Sequence, residues 1–252
     1  MLNHLRAHIR TLEGVTRPKK DVLSLGIEEI DQALPWNGLP LNCLHQILGD
    51  QDQSGAATVG FVIAIATRLK NRGITLWCSC RHGSGGTLYA PGLNMMGLGE
   101  EDLLVARCKN NAEVLWTMEE GLRCAAVAVV IGETENTLTH IAERRLHLAA
   151  AAGFTTGFLI QPKERTYLTT SCTSFTRWRV KALPSALTPW TGLASPCWRL
   201  NLDRCRGAPT QCWDVEWCHE ACCFHLASPL YHRLSDKDKC GTSNGTVQIL
   251  AK

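Results

Sequence analysis

Two rhythms of apolar residues alternate along the middle of the chain. Short continuous runs occupy residues 44–48, 74–78, 103–106, 127–131 and 154–160. Between them, apolar residues recur every three or four positions. Val59, Val62, Ile63, Ala66 and Leu69 make one such stripe, and Val114, Leu115, Met118 and Leu122 a second. Leu138, Ile141, Ala142, Leu148, Ala149 and Ala152 make a third. Runs of four to seven predict buried strands, and the 3.6-residue stripes predict helices with one inward face. Strand and helix in alternation predict an α/β fold, a mostly parallel sheet with helices on both faces.

The ends of the chain read differently. Leu2, Leu5, Ile9 and Leu12 predict a short helix, closed by the break at Pro18-Lys19-Lys20. A short strand, a turn at Gly26 and one or two helical turns to Leu34 follow, and Asn37-Gly38-Leu39-Pro40 turns the chain into the first long strand. Beyond residue 166, the segments 178–180, 197–206, 212–217 and 224–226 read as strands with no helix between them. They predict an antiparallel extension of the sheet, with a turn at Arg206-Gly207-Ala208-Pro209. The expected organisation is an N-terminal helix and linker (1–20), an α/β core (21–165), a strand extension of the same domain (166–230) and a polar, aperiodic tail (231–252) expected to be disordered.

The first strand-to-helix junction carries the most specific chemistry. Residues 44–58 run from an apolar strand through Gly49-Asp50-Gln51-Asp52-Gln53-Ser54-Gly55 into a helix, the scaffold of a phosphate-binding loop. A working loop has four residues between its glycines, then Lys, then Ser or Thr. Here five residues separate Gly49 from Gly55, Ala56 replaces the Lys and Ala57 the Mg²⁺-binding hydroxyl, leaving Thr58 as the one substitute. The missing Lys would neutralise the β- and γ-phosphates. What remains is a helix N-terminus, worth about 0.3–1 kcal/mol to an exposed anion. A micromolar complex needs about 8 kcal/mol. Two supporting carboxylates are also out of place. Glu133 stands one position late after the strand at 127–131, and the segment Cys78-Ser79-Cys80-Arg81-His82 contains no acid to activate water. The residues predict no catalysis, no cofactor and no metal.

Composition narrows the setting. The chain has 252 residues, 45% hydrophobic and 19% charged, with a net charge of +3. That permits nucleic acid as a partner without arguing for it. No apolar run reaches the length of a membrane span, and the first residues lack the apolar core of a signal peptide. Thirteen scattered cysteines predict buried thiols in a reducing cytosol. Cys212, Cys218, His219, Cys222, Cys223 and His225 are dense enough to raise zinc, but the spacing matches no paired Cys-x-x-Cys pattern. Arg177, Arg179, Arg199, Arg204 and Arg206 lie among Trp178 and Trp198, a combination that grips single-stranded DNA by phosphate contact and base stacking. The competing reading buries the tryptophans and pairs the arginines with Asp203 and Asp214. Arg199, Arg204 and Arg206 are the residues singled out, for DNA or for a partner.

The order of motifs resembles a known family. The segment from Leu25-Gly26 to Asp31, then Gly38-Leu39-Pro40, then strand and loop, resembles the opening of the RecA recombinase core. Leu88-Tyr89-Ala90-Pro91-Gly92-Leu93, the helix holding Trp116 and Glu119-Glu120-Gly121-Leu122-Arg123, Val130-Ile131-Gly132-Glu133, Thr176-Arg177-Trp178-Arg179-Val180 and Arg204-Cys205-Arg206-Gly207 narrow it. Together they are similar to the bacterial inducible mutagenesis protein A family, ImuA, over about residues 1–230. The resemblance implies a RecA-like fold and induction by DNA damage under the SOS response. It also implies work beside ImuB, a polymerase-like protein, and an error-prone DNA polymerase in translesion synthesis, in the cytoplasm and at the nucleoid when DNA is damaged. Two other functions fit parts of the sequence: a cell-division inhibitor resembling SulA, and a DNA-dependent RecA-like ATPase.

Overall fold

Nine strands form the body of the protein. The computed structural model describes residues 21–49, 55–80, 88–161, 173–185 and 194–227. The helix expected at 2–13 and the tail after 231 lie outside them. Strand β1 (Val22–Leu23) pairs antiparallel with β2 (Leu39–Pro40), and α1 (Glu28–Ala33) bridges the two. Buried Asp31 holds this opening turn, accepting from the Leu25 N–H at 2.8 Å and the Ser24 hydroxyl at 2.6 Å.

The chain then alternates through β3 (Leu44–Gly49), α2 (Ala56–Leu69), β4 (Ile74–Cys80), α3 (Ala90–Met95), β5 (Leu103–Cys108), α4 (Asn111–Leu122), β6 (Val127–Glu133), α5 (His140–Gly153) and β7 (Thr156–Gln161). Four strands follow: β8 (Thr176–Leu183), β9 (Cys197–Cys205), β10 (Gln211–Cys218) and β11 (Cys223–Leu226). The main sheet has the order β11-β10-β9-β8-β3-β7-β6-β4-β5. Strands β3 to β8 pair in parallel and β9 to β11 antiparallel. The antiparallel extension therefore starts one strand later than the sequence reading placed it. Strand β8 returns beside β3 in parallel, with Ile47 opposite Trp178.

Each face of the sheet has its own core. Phe61, Val62 and Ile65 of α2 pack with Ile47, Trp77, Ile131 and Phe158, and the same cluster runs on through Trp178, Trp198, Trp213 and Trp217 of the extension. On the other face, Val114, Met118 and Leu122 of α4 and Leu146, Ala149 and Ala150 of α5 cover Leu44, Leu76, Val130 and Leu159. Two glycines permit the close approaches. A Cβ on Gly132 of β6 would run into the Met118 side chain, and one on Gly60 of α2 would lie 2.9 Å from Trp198 Cζ2. Glu119 of α4 ties the two helices, accepting from Arg123 at 2.7 Å and from Arg145 of α5 at 2.5 Å.

Two expectations are corrected. Helix α5 is rotated from the expected face: Ala149 is buried as expected, but Leu146 and Ala150 are buried with it, while Ile141 and Leu148 are exposed. Glu143 and Arg145 fix the rotation, since Glu143 Oε2 accepts from the Thr173 N–H at 3.1 Å and Arg145 must reach Glu119. Strand β7 begins at Thr156, not at residue 154. Phe154 caps α5 in the left-handed conformation, φ 57°, with its ring in solvent. An apolar residue followed by a strand is not distinguishable in sequence from the strand's first residue.

Candidate phosphate loop and arginine-bearing strands

Gly49 ends β3 and Gly55 caps α2, so the structure keeps the strand–loop–helix path. Ser54 lies outside the described residues. Gly55 caps without a side chain, and the first turn of α2 holds no acid. Ala56 is exposed and Ala57 buried, and neither side chain carries a polar group. Thr58 is 1% exposed, and its hydroxyl donates to the Gly55 carbonyl at 2.5 Å. The Thr58 hydroxyl is thus bonded back onto the helix's own first turn, a local bond that Thr makes readily.

The strands bordering this loop place the remaining acid. Strand β7 lies between β3 and β6, and Glu133 ends β6 opposite Ile160. Its parity is that of Val129 and Ile131, the face covered by α2. Burial pushes the Glu133 carboxyl up, favouring the protonated form. At the end of β4, burial, and then the nearby Glu135, raise the Cys80 thiol, and Cys80 Sγ donates to Asn111 Oδ1 at 3.5 Å. Cys78, one turn of the pleat deeper, is pushed by burial up to about 12. Neither thiol is an activated nucleophile.

The arginine strands sort by face. Trp178, Trp198 and Trp213 point into the core, so no base can stack on them. Arg177, Arg179 and Lys181 of β8 and Arg199 and Arg204 of β9 share the opposite face. Register sets Arg177 against Arg204 and Lys181 against Arg199. A bulge at Asp203 puts Arg204 on this face, because the register shifts between Arg177 and Trp178. Arg199 donates twice to Asp214, at 2.7 and 2.9 Å, and Arg179 pairs with Asp203 at 2.5 Å. Arg177 Nε donates to Gln46 Oε1 at 2.6 Å, and Gln46 donates onward to Gln161. Arg206 leaves the group. Its guanidinium donates to the Thr173 carbonyl at 2.9 Å and stands 5.4 Å from the Phe175 ring centre. The base-stacking half of the DNA reading is therefore corrected, and the expected pairings to Asp203 and Asp214 are present. Lys181 was not singled out in the sequence, although the alternation Arg177-Trp178-Arg179-Val180-Lys181 marks it as a neighbour on the same face.

A second buried network was silent in sequence. His45 is fully buried in β3, stacked on Phe158 with ring centres 5.1 Å apart. Its Nε2 lies 2.9 Å from the Pro40 carbonyl and its Nδ1 2.7 Å from the Thr176 hydroxyl. A carbonyl only accepts, which assigns the proton to Nε2. The Trp178 indole N–H donates to the same Thr176 hydroxyl at 2.8 Å, leaving that hydroxyl's proton for Nδ1. Burial pushes His45 down to about 4. The cysteine-rich segment resolves into the hairpin β10–β11. His219 Nδ1 lies 3.0 Å from the Met95 carbonyl, and Cys222 Sγ bonds to the His219 carbonyl. Among the described residues no three His, Cys, Asp or Glu side chains come together as a metal site.

A central parallel sheet with helices on both faces, a loop between β3 and α2, and an antiparallel C-terminal ribbon define a RecA-like α/β protein. No family model matches the chain. Over 220 residues it is 35% identical to Protein ImuA of Caulobacter vibrioides, in each of two strains, a match covering 81% of this chain and 87% of the relative. The chain belongs to the ImuA family.

Proposed function

We propose that this chain is a non-catalytic RecA-like accessory protein of damage-induced mutagenesis. It acts as an adaptor that holds an ImuB-like polymerase-family protein and an error-prone DNA polymerase together during translesion synthesis, in the cytoplasm and at damaged nucleoid DNA. The observation that carries this reading is the loop. Family membership supplies the setting, while Ala56, Ala57 and the inward bond of Thr58 remove the groups that grip nucleotide phosphates. A RecA-like core without that grip has lost its nucleotide switch, and a rigid sheet with exposed edges is left to bind proteins. No helix of the described residues is long and apolar enough to cross a membrane.

The test has a genetic and a biochemical arm. A deletion strain is expected to lose damage-induced mutation while keeping recombination, and a wild-type copy to restore it. Purified protein titrated with ATP and Mg²⁺, with and without single-stranded DNA, is expected to show neither turnover nor micromolar binding. Normal induced mutagenesis in the deletion strain ends the adaptor reading. Turnover that disappears in Thr58→Ala favours the DNA-dependent ATPase. Filamentation on overproduction, with mutagenesis unaffected, favours the SulA-like division inhibitor.

Direct contact with DNA is a second reading, favoured by one feature. Register lines Arg177 up with Arg204 and Lys181 with Arg199 on one face of β8 and β9, a row of cationic side chains of the kind that meets phosphate. Neutralising Lys181 and Arg204 together to Gln is expected to weaken single-stranded DNA binding and to flatten its salt dependence by roughly two phosphate contacts. An unchanged salt slope assigns this face to protein contacts instead.

A further inference from the structure

The hairpin β10–β11 gathers two thiols and an imidazole on one face. Cys218 stands directly opposite Cys223, and Glu216 directly opposite His225. These four residues share the parity opposite to Trp217 and Phe224, which point into the core. The Cys223 Sγ lies 3.2 Å from His225 Nε2. Both thiols are half-buried and His225 is exposed, so small solutes reach the group.

The backbone sets the two cysteines at a spacing that a disulfide can span. The Trp217 N–H donates to the Pro196 carbonyl on the β9 side, and the Ala227 N–H donates to the Asp214 carbonyl across the hairpin. Even-numbered residues of β10 therefore bond to β11, which makes Cys218 and Cys223 a hydrogen-bonded pair. Such pairs hold their Cα atoms about 5.5 Å apart. Disulfides span about 4.4–6.8 Å between Cα atoms. The other nearby cysteines are placed elsewhere. Cys222 turns back to the His219 carbonyl at 3.4 Å. Cys212 shares the face, but six residues along β10 put it about 20 Å away.

We propose that Cys218 and Cys223 form a reversible peroxide-oxidised dithiol, with Cys223 the attacking thiol and His225 its base. His225 Nε2 takes the Cys223 proton. The thiolate attacks one oxygen of hydrogen peroxide, the O–O bond breaks, and the departing hydroxide takes a proton to leave as water. Cys223 is then a sulfenic acid. The Cys218 sulfur attacks the Cys223 sulfur, the S–O bond breaks, and the hydroxide leaves with the Cys218 proton as a second water. Two thiols and one peroxide give one disulfide and two waters. The half-buried bond is returned to the dithiol by a small thiol reductant. The disulfide staples the tip of the hairpin, whose turn rests on the Met95 carbonyl through His219.

The experiment uses the full chain, reduced, treated with dilute hydrogen peroxide, alkylated and mapped by fragmentation mass spectrometry. The expected product is a peptide lighter by two hydrogen atoms with the bond between Cys218 and Cys223, reversed by dithiothreitol. Cys218→Ser and Cys223→Ser each abolish it, while Cys212→Ser and Cys222→Ser retain it. His225→Gln is expected to slow its formation roughly tenfold without changing the product. Retention of the mass loss in Cys218→Ser, a bond mapped to any other pair, or an unchanged rate in His225→Gln overturns the assignment.

Discussion

Trp178→Ala is expected to lower the unfolding free energy by about 3–5 kcal/mol, the range for truncating a fully buried aromatic residue. Trp178 is 1% exposed and sits where the parallel sheet meets its antiparallel extension. Its ring lies 6.2 Å from Phe61 of α2 and 6.1 Å from Trp213 of β10. Truncation empties the space between three elements and removes the donor that the Thr176 hydroxyl uses, so a packing loss and a hydrogen-bond loss fall on one site. A domain holds about 5–15 kcal/mol in all, so this one side chain carries a large fraction of the total. Trp116→Ala is the control. That ring is largely in solvent on α4, and its loss is expected within about 0.5 kcal/mol of zero. Urea unfolding of both variants decides the matter. A Trp178→Ala loss under about 1 kcal/mol would mean that the extension does not share the main core.

Acid is expected to unfold this protein partly through one histidine. The folded-state value for His45 is about 4, against 6.5 for the free side chain. Between those values the unfolded chain binds a proton that the folded chain refuses. Stability therefore rises with pH across the window, is fully present above about 6.5, and is lost as pH falls toward 4. A depression of that size corresponds to about 3 kcal/mol. The cause is first burial, and to a lesser degree the repulsion of nearby His147, offset in part by the bond to the Pro40 carbonyl. Glu133 works in the opposite sense, since its raised carboxyl binds protons more readily when folded. The measurement is a series of urea midpoints from pH 7 to 4.5 on wild type and His45→Gln. The wild type should lose stability steeply below pH 6.5, and the variant should show a shallower slope over the same interval. Parallel slopes would exclude His45 as the titrating group.

Periodicity carried most of the architecture because burial on two faces leaves little freedom in how a strand reads. The runs at 74–78 and 127–131 lie inside β4 and β6 for that reason. Where the reading slipped, a polar residue had decided the outcome. Helix α5 was rotated by Glu143 and Arg145, whose partners at Thr173 and Glu119 are distant in sequence. The parallel course of β8 could not be read either, since strand direction depends on a connection and not on the strand's own residues. That no Lys or hydroxyl stands at positions 56 and 57 was legible from the sequence alone, but the inward turn of Thr58 required the helix geometry. His45 gave no signal, because a histidine within an apolar run looks the same whether it titrates freely or is locked between Pro40 and Thr176.

Gly60 and Trp198 set the mechanics of the molecule. The indole presses so near the α2 backbone that even a methyl group would crowd it. Helix α2 and strand β9 therefore meet at this point with no room for a side chain between them. Any residue larger than glycine at position 60 would have to push the Trp198 ring, and with it the strand that carries it, away from the helix.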